Sequence, residues 1–136
     1  MAFETTSYTP LQFIAGDADI RVKDVLTLAN VAIIPALTPM KRDANNKAIP
    51  ATLITDKIIG LTVPRNGSQN AALIGEPISA TDTYVPMYTM ADIFASQINW
   101  ANIAAITGVT AADYAKMDQT FDSTGINLKF PSAGQV

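Results

Sequence analysis

The sequence predicts a mainly β domain of the α+β class, with one or two helices. Three observations predict it. Short apolar, β-branched runs follow one another at close spacing from Asp19 to Tyr88, each bounded by turn residues. At 136 residues, with 49% apolar and 15% charged, the chain is one domain long and can bury a core without metal or disulfide. After Thr89 the apolar spacing changes from that of strands to that of helices.

The elements follow in order. In DIRVKDVLTL, Ile20, Val22 and Val25 alternate with charges and predict a strand, or a pair of strands, over 20–28. Val31 to Leu37 is β-branched and extended, but Pro35 cannot donate to a ladder, which places this ribbon at an edge or a bend. IIPALTPM therefore reads as a ribbon shaped by Pro35 and Pro39. Asp43-Ala44-Asn45-Asn46 supplies a hairpin turn, since Asx side chains bond nearby backbone and Asn tolerates positive φ. Lys41 and Arg42 read as solvated flanks of that turn. A strand is expected over 51–54, a turn at Thr55-Asp56-Lys57, and an apolar strand over 58–63 whose Gly60 marks a bulge or a close backbone approach. PRNGSQN (64–70) is a loop and AALIG (71–75) a short strand, broken at Glu76-Pro77. TDTYVPMY (81–88) is the next strand.

Thr89-Met90-Ala91-Asp92 resembles a capping box with Asp in place of Glu. Met90, Ile93, Phe94, Ile98 and Ala101 then fall near helical spacing, so a helix is expected over about 90–105, ended by Gly108. Trp100, the sole tryptophan, is either a core residue or an interface anchor. Thr110-Ala111-Ala112-Asp113 opens a short helix over 111–118, GINLKF (125–130) closes with a strand, and PSAGQV is a tail.

Residues 1–16 read as an extended arm, and 17–136 as the single domain. The arm scatters Phe3, Tyr8, Leu11, Phe13 and Ile14 among hydroxyl residues such as Thr5, too thinly to bury them against itself. It is either a frayed terminus or a peptide that orders on a partner by adding a strand to a sheet edge.

Chemistry is constrained by what is missing. The chain has neither Cys nor His, which removes disulfides, thiolate metal sites and nucleophilic triads that use His. A net charge of −3 opposes nonspecific nucleic-acid binding. No apolar run is long enough to span a membrane, and MAFETTSYTP lacks the pattern of a signal peptide, so a cytosolic product is expected. The carboxylate pairs Asp17/Asp19, Asp113/Asp118 and Asp118/Asp122 could do acid–base work, but each fits a cap, a turn or a solvated face. Asp17-Ala18-Asp19 lacks the oxygen spacing of a calcium loop. Neither a P-loop nor a GxGxxG occurs. No enzyme and no cofactor is expected.

The order of features carries a resemblance. An arm is followed by a short strand pair, IPALTPM, a polar turn (KRDANNK) and IPATLITDKIIGLTV. Then come TYVPMY, DIFASQINWA, DYAKMDQTF and INLKF. Over residues 30–130 this resembles the lambda-type head decoration proteins of tailed bacteriophages. The resemblance implies a compact β-clip or tulip-like domain with an extended N-terminal arm. It implies a homotrimer at local three-fold positions outside the expanded capsid, cementing the major capsid protein, with no nucleic-acid or membrane partner. Such a protein is made in the host cytoplasm and resides in the virion. The expected capsid-binding residues are Phe3, Thr5, Tyr8, Leu11, Phe13 and Ile14. Those expected at the trimer contact are Pro35, Leu37, Pro39 and Trp100. Another virion role, in the tail or baseplate, shares the same composition.

Overall fold

A computed structural model describes residues 15, 19–28, 33–64, 76–77, 82–108, 110–122 and 124–130. Eight strands and one short helix follow in chain order: β1 (Arg21–Thr27), β2 (Ile33–Ile34), β3 (Pro39–Arg42), β4 (Ala48–Pro50), β5 (Gly60–Thr62), β6 (Glu76–Pro77), β7 (Thr83–Phe94), α1 (Tyr114–Thr120) and β8 (Gly125–Lys129). Five strands close a barrel in the order β1-β4-β3-β5-β7, with β7 pairing back onto β1. The domain is thus mainly β with one short helix, as the alternating short runs predict.

The long strand β7 organises the barrel. It pairs antiparallel with β1 from Thr27↔Thr83 to Arg21↔Met90, with an irregularity between Arg21 and Val22. Its opposite flank carries β5 at Tyr88 and Met87 and then β8, in parallel, from Met90↔Gly125 to Phe94↔Lys129. A separate two-stranded ribbon pairs β2 with β6. Inside the barrel Val25, Ile34, Met40, Ala48, Val85 and Met87 form one apolar cluster. A larger cluster fills the space between the β7–β8 extension and α1, around Leu61, Ile93, Trp100, Met117, Phe121 and Ile126.

The β3–β4 hairpin forms where the Asx turn was expected. The Asp43 carboxylate accepts the amides of Asn45 at 2.8 Å and Lys47 at 3.0 Å. Asn46 takes φ 64°, the left-handed conformation Asn tolerates. Gly60 is a close-approach site, since a Cβ there would lie 2.7 Å from the Tyr88 carbonyl oxygen.

Other expectations are corrected. Residues 90–105 do not form a helix. Residues 90–94 belong to β7, Ala95–Gln97 is a single 3-10 turn, and turns follow. The ladder that β8 lays along Met90–Phe94 satisfies those backbone groups across the sheet, and Ala91 and Ile93 face inward at strand spacing. Thr89 caps nothing. Its hydroxyl donates to the Arg21 carbonyl within the β1–β7 ladder. Residues 51–54 are not the expected strand; β4 lies before them at Ala48–Pro50, and the Asp56 carboxylate draws the amides of Thr52 and Leu53 into a turn. The ribbon over 31–37 is strand only at Ile33–Ile34 among the described residues, and the chain bends at Pro35. The short helix does form after Thr110, as a 3-10 turn over Ala111–Asp113 running into α1. The expected loop at 65–70, the strand at 71–75 and the tail at 131–136 lie outside the described residues.

Candidate interaction surface

The IIPALTPM segment is held by a knot of backbone and hydroxyl groups. The Pro35 carbonyl accepts hydroxyls from Thr38 at 2.6 Å and Thr62 at 2.8 Å. The Thr38 amide donates to the Thr62 hydroxyl at 3.0 Å, and the Asn99 side chain donates to the Thr38 hydroxyl at 2.9 Å. Backbone bonds from Leu37 to Thr62 and from Asn99 to Leu37 complete it. Thr38 and Thr62 are fully buried, so each partner satisfies a group that water cannot reach. The knot holds Leu37 at φ 57°, a conformation that costs a non-glycine residue about 1–2 kcal/mol. Complete burial of the leucine side chain offsets that cost, since it contributes about 1.5–3 kcal/mol.

This settles where the four residues expected at a trimer contact lie. Leu37, Pro39 and Trp100 are buried within the chain, and Pro35 is exposed. Leu37 and Trp100 share the larger core cluster. The Trp100 indole donates to the Ala95 carbonyl at 2.9 Å and meets Phe121 edge-on at 5.8 Å. The arm residues Phe3, Thr5, Tyr8, Leu11, Phe13 and Ile14 lie outside the described residues. The arm's root is described. The Ala15 amide donates to the Asp92 carbonyl at 2.8 Å. At Asp92 one flank of β7 already carries β8, so Ala15 sits on the other flank, in line beyond β1.

Two surface features stand outside what sequence reading singled out. The outer face of the β1–β7 ribbon exposes Val22 (52%) and Tyr84 (66%), with Leu26 opposite Tyr84 and Pro86 opposite Asp24. The available signal was the alternation in RVKDVLT, which places Val22 and Leu26 on the face opposite Val25. The second feature is the end of β7, where Phe94 is 43% exposed.

Among the described residues no group of three His, Cys, Asp or Glu side chains could hold a metal. Of the carboxylates with acid–base potential, Asp17 lies outside the described residues and Asp113 is engaged. Asp113 is buried and accepts the Gly108 amide and the Thr110 hydroxyl, each at 3.2 Å. Asp118 and Asp122 are exposed. Asp56 is held below its ordinary value. Burial alone would raise it, but the amides of Leu53 and Thr52 and the Lys41 ammonium at 3.1 Å outweigh that push. Lys47 is raised by its bond to Asp82. Burial alone raises the Tyr88 phenol. Each shift has a structural cause, and none converges on a shared cleft.

No protein-family model matches the chain, and no curated protein matches it either.

Proposed function

We propose that this protein is a phage head decoration protein, a trimer seated on the outside of the expanded capsid at local three-fold positions, where it cements major capsid protein subunits. The finer form of the fold under this reading is a β-clip or tulip-like body that carries residues 1–16 as a capsid-binding arm. The order of sequence features supports the reading, and so does the position of the arm's root. Ala15 is bonded at Asp92, and β8 ends beside Phe94, so the arm's root and the last strand lie at the same end of β7. A domain whose arm root and final strand share one end can lay that end on a surface.

Each arm gains ladder hydrogen bonds and buried apolar contacts, and loses about 1–2 kcal/mol of backbone entropy per residue ordered. One arm is therefore weak. Three arms on one trimer raise the effective concentration and multiply avidity by about 10²–10⁴. The test is deletion of residues 1–14, which keeps Ala15 and its bond to Asp92. The shortened chain is expected to keep its melting temperature and circular dichroism but to lose pelleting with expanded heads. Undiminished pelleting would overturn the arm's role. Binding of the intact protein to tails and not heads would reassign it as a tail or baseplate adaptor.

A further inference from the structure

The surface carries two grooves of opposite charge. The first is cationic. Lys23, Arg42 and Lys57 line it over a floor of Val25, Ile58 and Ile59, and it continues past Arg42 and Lys57 to Lys41. The carboxylates within it are engaged. Asp56 takes Lys41 and two amides, and Asp43 takes the amides of its own turn. Lys23 and Lys57 have no acidic partner among the described residues, and Arg42 reaches only the Asn46 carbonyl, at 2.9 Å. The second groove is anionic. Asp118 and Asp122 rim it beside Asn127, over Phe121, Ile126 and Leu128. No cation lines it, and neither carboxylate has a cationic partner among the described residues. Lys57 and Asp122 line one further shallow groove with Gln119, so the two charged regions are neighbours.

We infer that the two regions are the two sides of a head-to-tail contact between copies of this chain, the cationic groove of one copy receiving the Asp118–Asp122 shoulder of the next. This rests on the reading that copies sit side by side as a trimer. Three features favour a second copy as the occupant. The cationic groove has an apolar floor within a charged rim, the make-up of an interface with a buried centre. Asp118, in the last turn of α1, and Asp122, just beyond its end, line one groove, so they present two carboxylates together to a groove that offers three cations. A head-to-tail contact uses two different patches, and it closes into a ring only when the rotation between copies allows. In a ring of few copies the two contact faces of each protomer converge near the axis, and neighbouring patches meet that condition. Patches at opposite poles would instead build an open filament.

The chain has no cysteine, so introduced thiols report contact without background. Lys57 and Asp122 are exposed, and Lys57→Cys and Asp122→Cys are expected to fold, as circular dichroism verifies. The two variants, one carrying a mass tag, are mixed in equal amounts, oxidised with diamide and resolved on a nonreducing gel. One sample is bound to heads, and one is free at about millimolar concentration, where weak contacts of this kind populate. The expected product is the mixed dimer joining position 57 of one copy to position 122 of another, about tenfold over either homodimer, as a head-to-tail contact requires. Homodimers in excess would mean a two-fold contact and overturn the inference, as would no cross-link in either sample. Charge reversal gives a second reading. Lys57→Glu alone is expected to weaken self-association, and Lys57→Glu combined with Asp122→Lys to restore it. A double variant no better than the single one would also overturn the inference. The free sample is independent of head binding, so failure here is distinct from failure of the capsid reading.

Discussion

Gly60→Ala tests the packing of the barrel where β5 and β7 approach closely. A Cβ at position 60 would sit 2.7 Å from the Tyr88 carbonyl oxygen and 3.1 Å from the Met87 Cβ. The first neighbour is backbone of β7, which is fixed by β1 on one flank and β5 and β8 on the other, so it cannot move aside alone. Overpacking of this kind costs about 1–3 kcal/mol, and lower chain entropy in the unfolded state returns about 0.4–1 kcal/mol. The net cost centres on about 1.3 kcal/mol, and for a chain of this size about 1 kcal/mol shifts the melting temperature by about 4 °C, so a fall of about 5 °C is expected. Gly108→Ala is the internal control. A Cβ there would meet only the Thr110 Cγ2, at 3.9 Å, and its φ lies outside the left-handed region. It is expected to melt at or slightly above the parent temperature. Calorimetry on the two variants decides the matter. A Gly60→Ala protein as stable as the parent would refute the claim that β5 and β7 approach too closely for a side chain.

Thr62→Val removes the hydroxyl that accepts the Thr38 amide and donates to Pro35, leaving a buried amide without its partner. A loss of about 1–3 kcal/mol is expected in urea unfolding, with an unchanged slope. At position 37, truncation to Ala creates a cavity and keeps the strained φ of 57°, whereas truncation to Gly relieves the strain. Leu37→Gly is therefore expected to melt above Leu37→Ala, reversing the usual order in which Gly is about 0.5–1 kcal/mol worse. Asp56 has a folded pKa below its ordinary 3.8, so its contribution is fully present above that value and is lost as pH falls through the lower folded pKa. Asp56→Asn is thus expected to be less stable than the parent at pH 7, with the gap narrowing below about pH 4 in a pH series of thermal melts.

The parts of the fold legible in the sequence were those with a local cause. The hairpin follows from Asp43 and Asn46, whose side chains and φ preferences act within a few residues. Gly60 was legible because only a missing side chain explains glycine inside so apolar a strand. The helix read over 90–105 failed for a non-local reason. Met90 and Phe94, on the outward side of β7, are apolar and masked the strand alternation of Ala91, Ile93 and Ala95. The partner that makes this stretch a strand is β8, more than 30 residues later in the chain. Ile98, Trp100, Ile103 and Ile106 are buried, as a helix face would be, but from successive turns that pack into the larger core cluster. The threonine knot around Pro35 was likewise hidden, because it joins positions 35, 38, 62 and 99. The same separation hid the charged grooves. Arg42 and Lys57 read only as turn residues and Lys23 as a charge within a strand, and the three share a groove only once the barrel closes.

The central claim is that this domain clamps a capsid, and pelleting tests it most directly. Purified protein is mixed with expanded, undecorated heads of its parent phage, the heads are sedimented, and bound protein is counted against capsid subunits. The account predicts saturable binding at three copies per local three-fold site. Folded, soluble protein that stays in the supernatant at every concentration would contradict it.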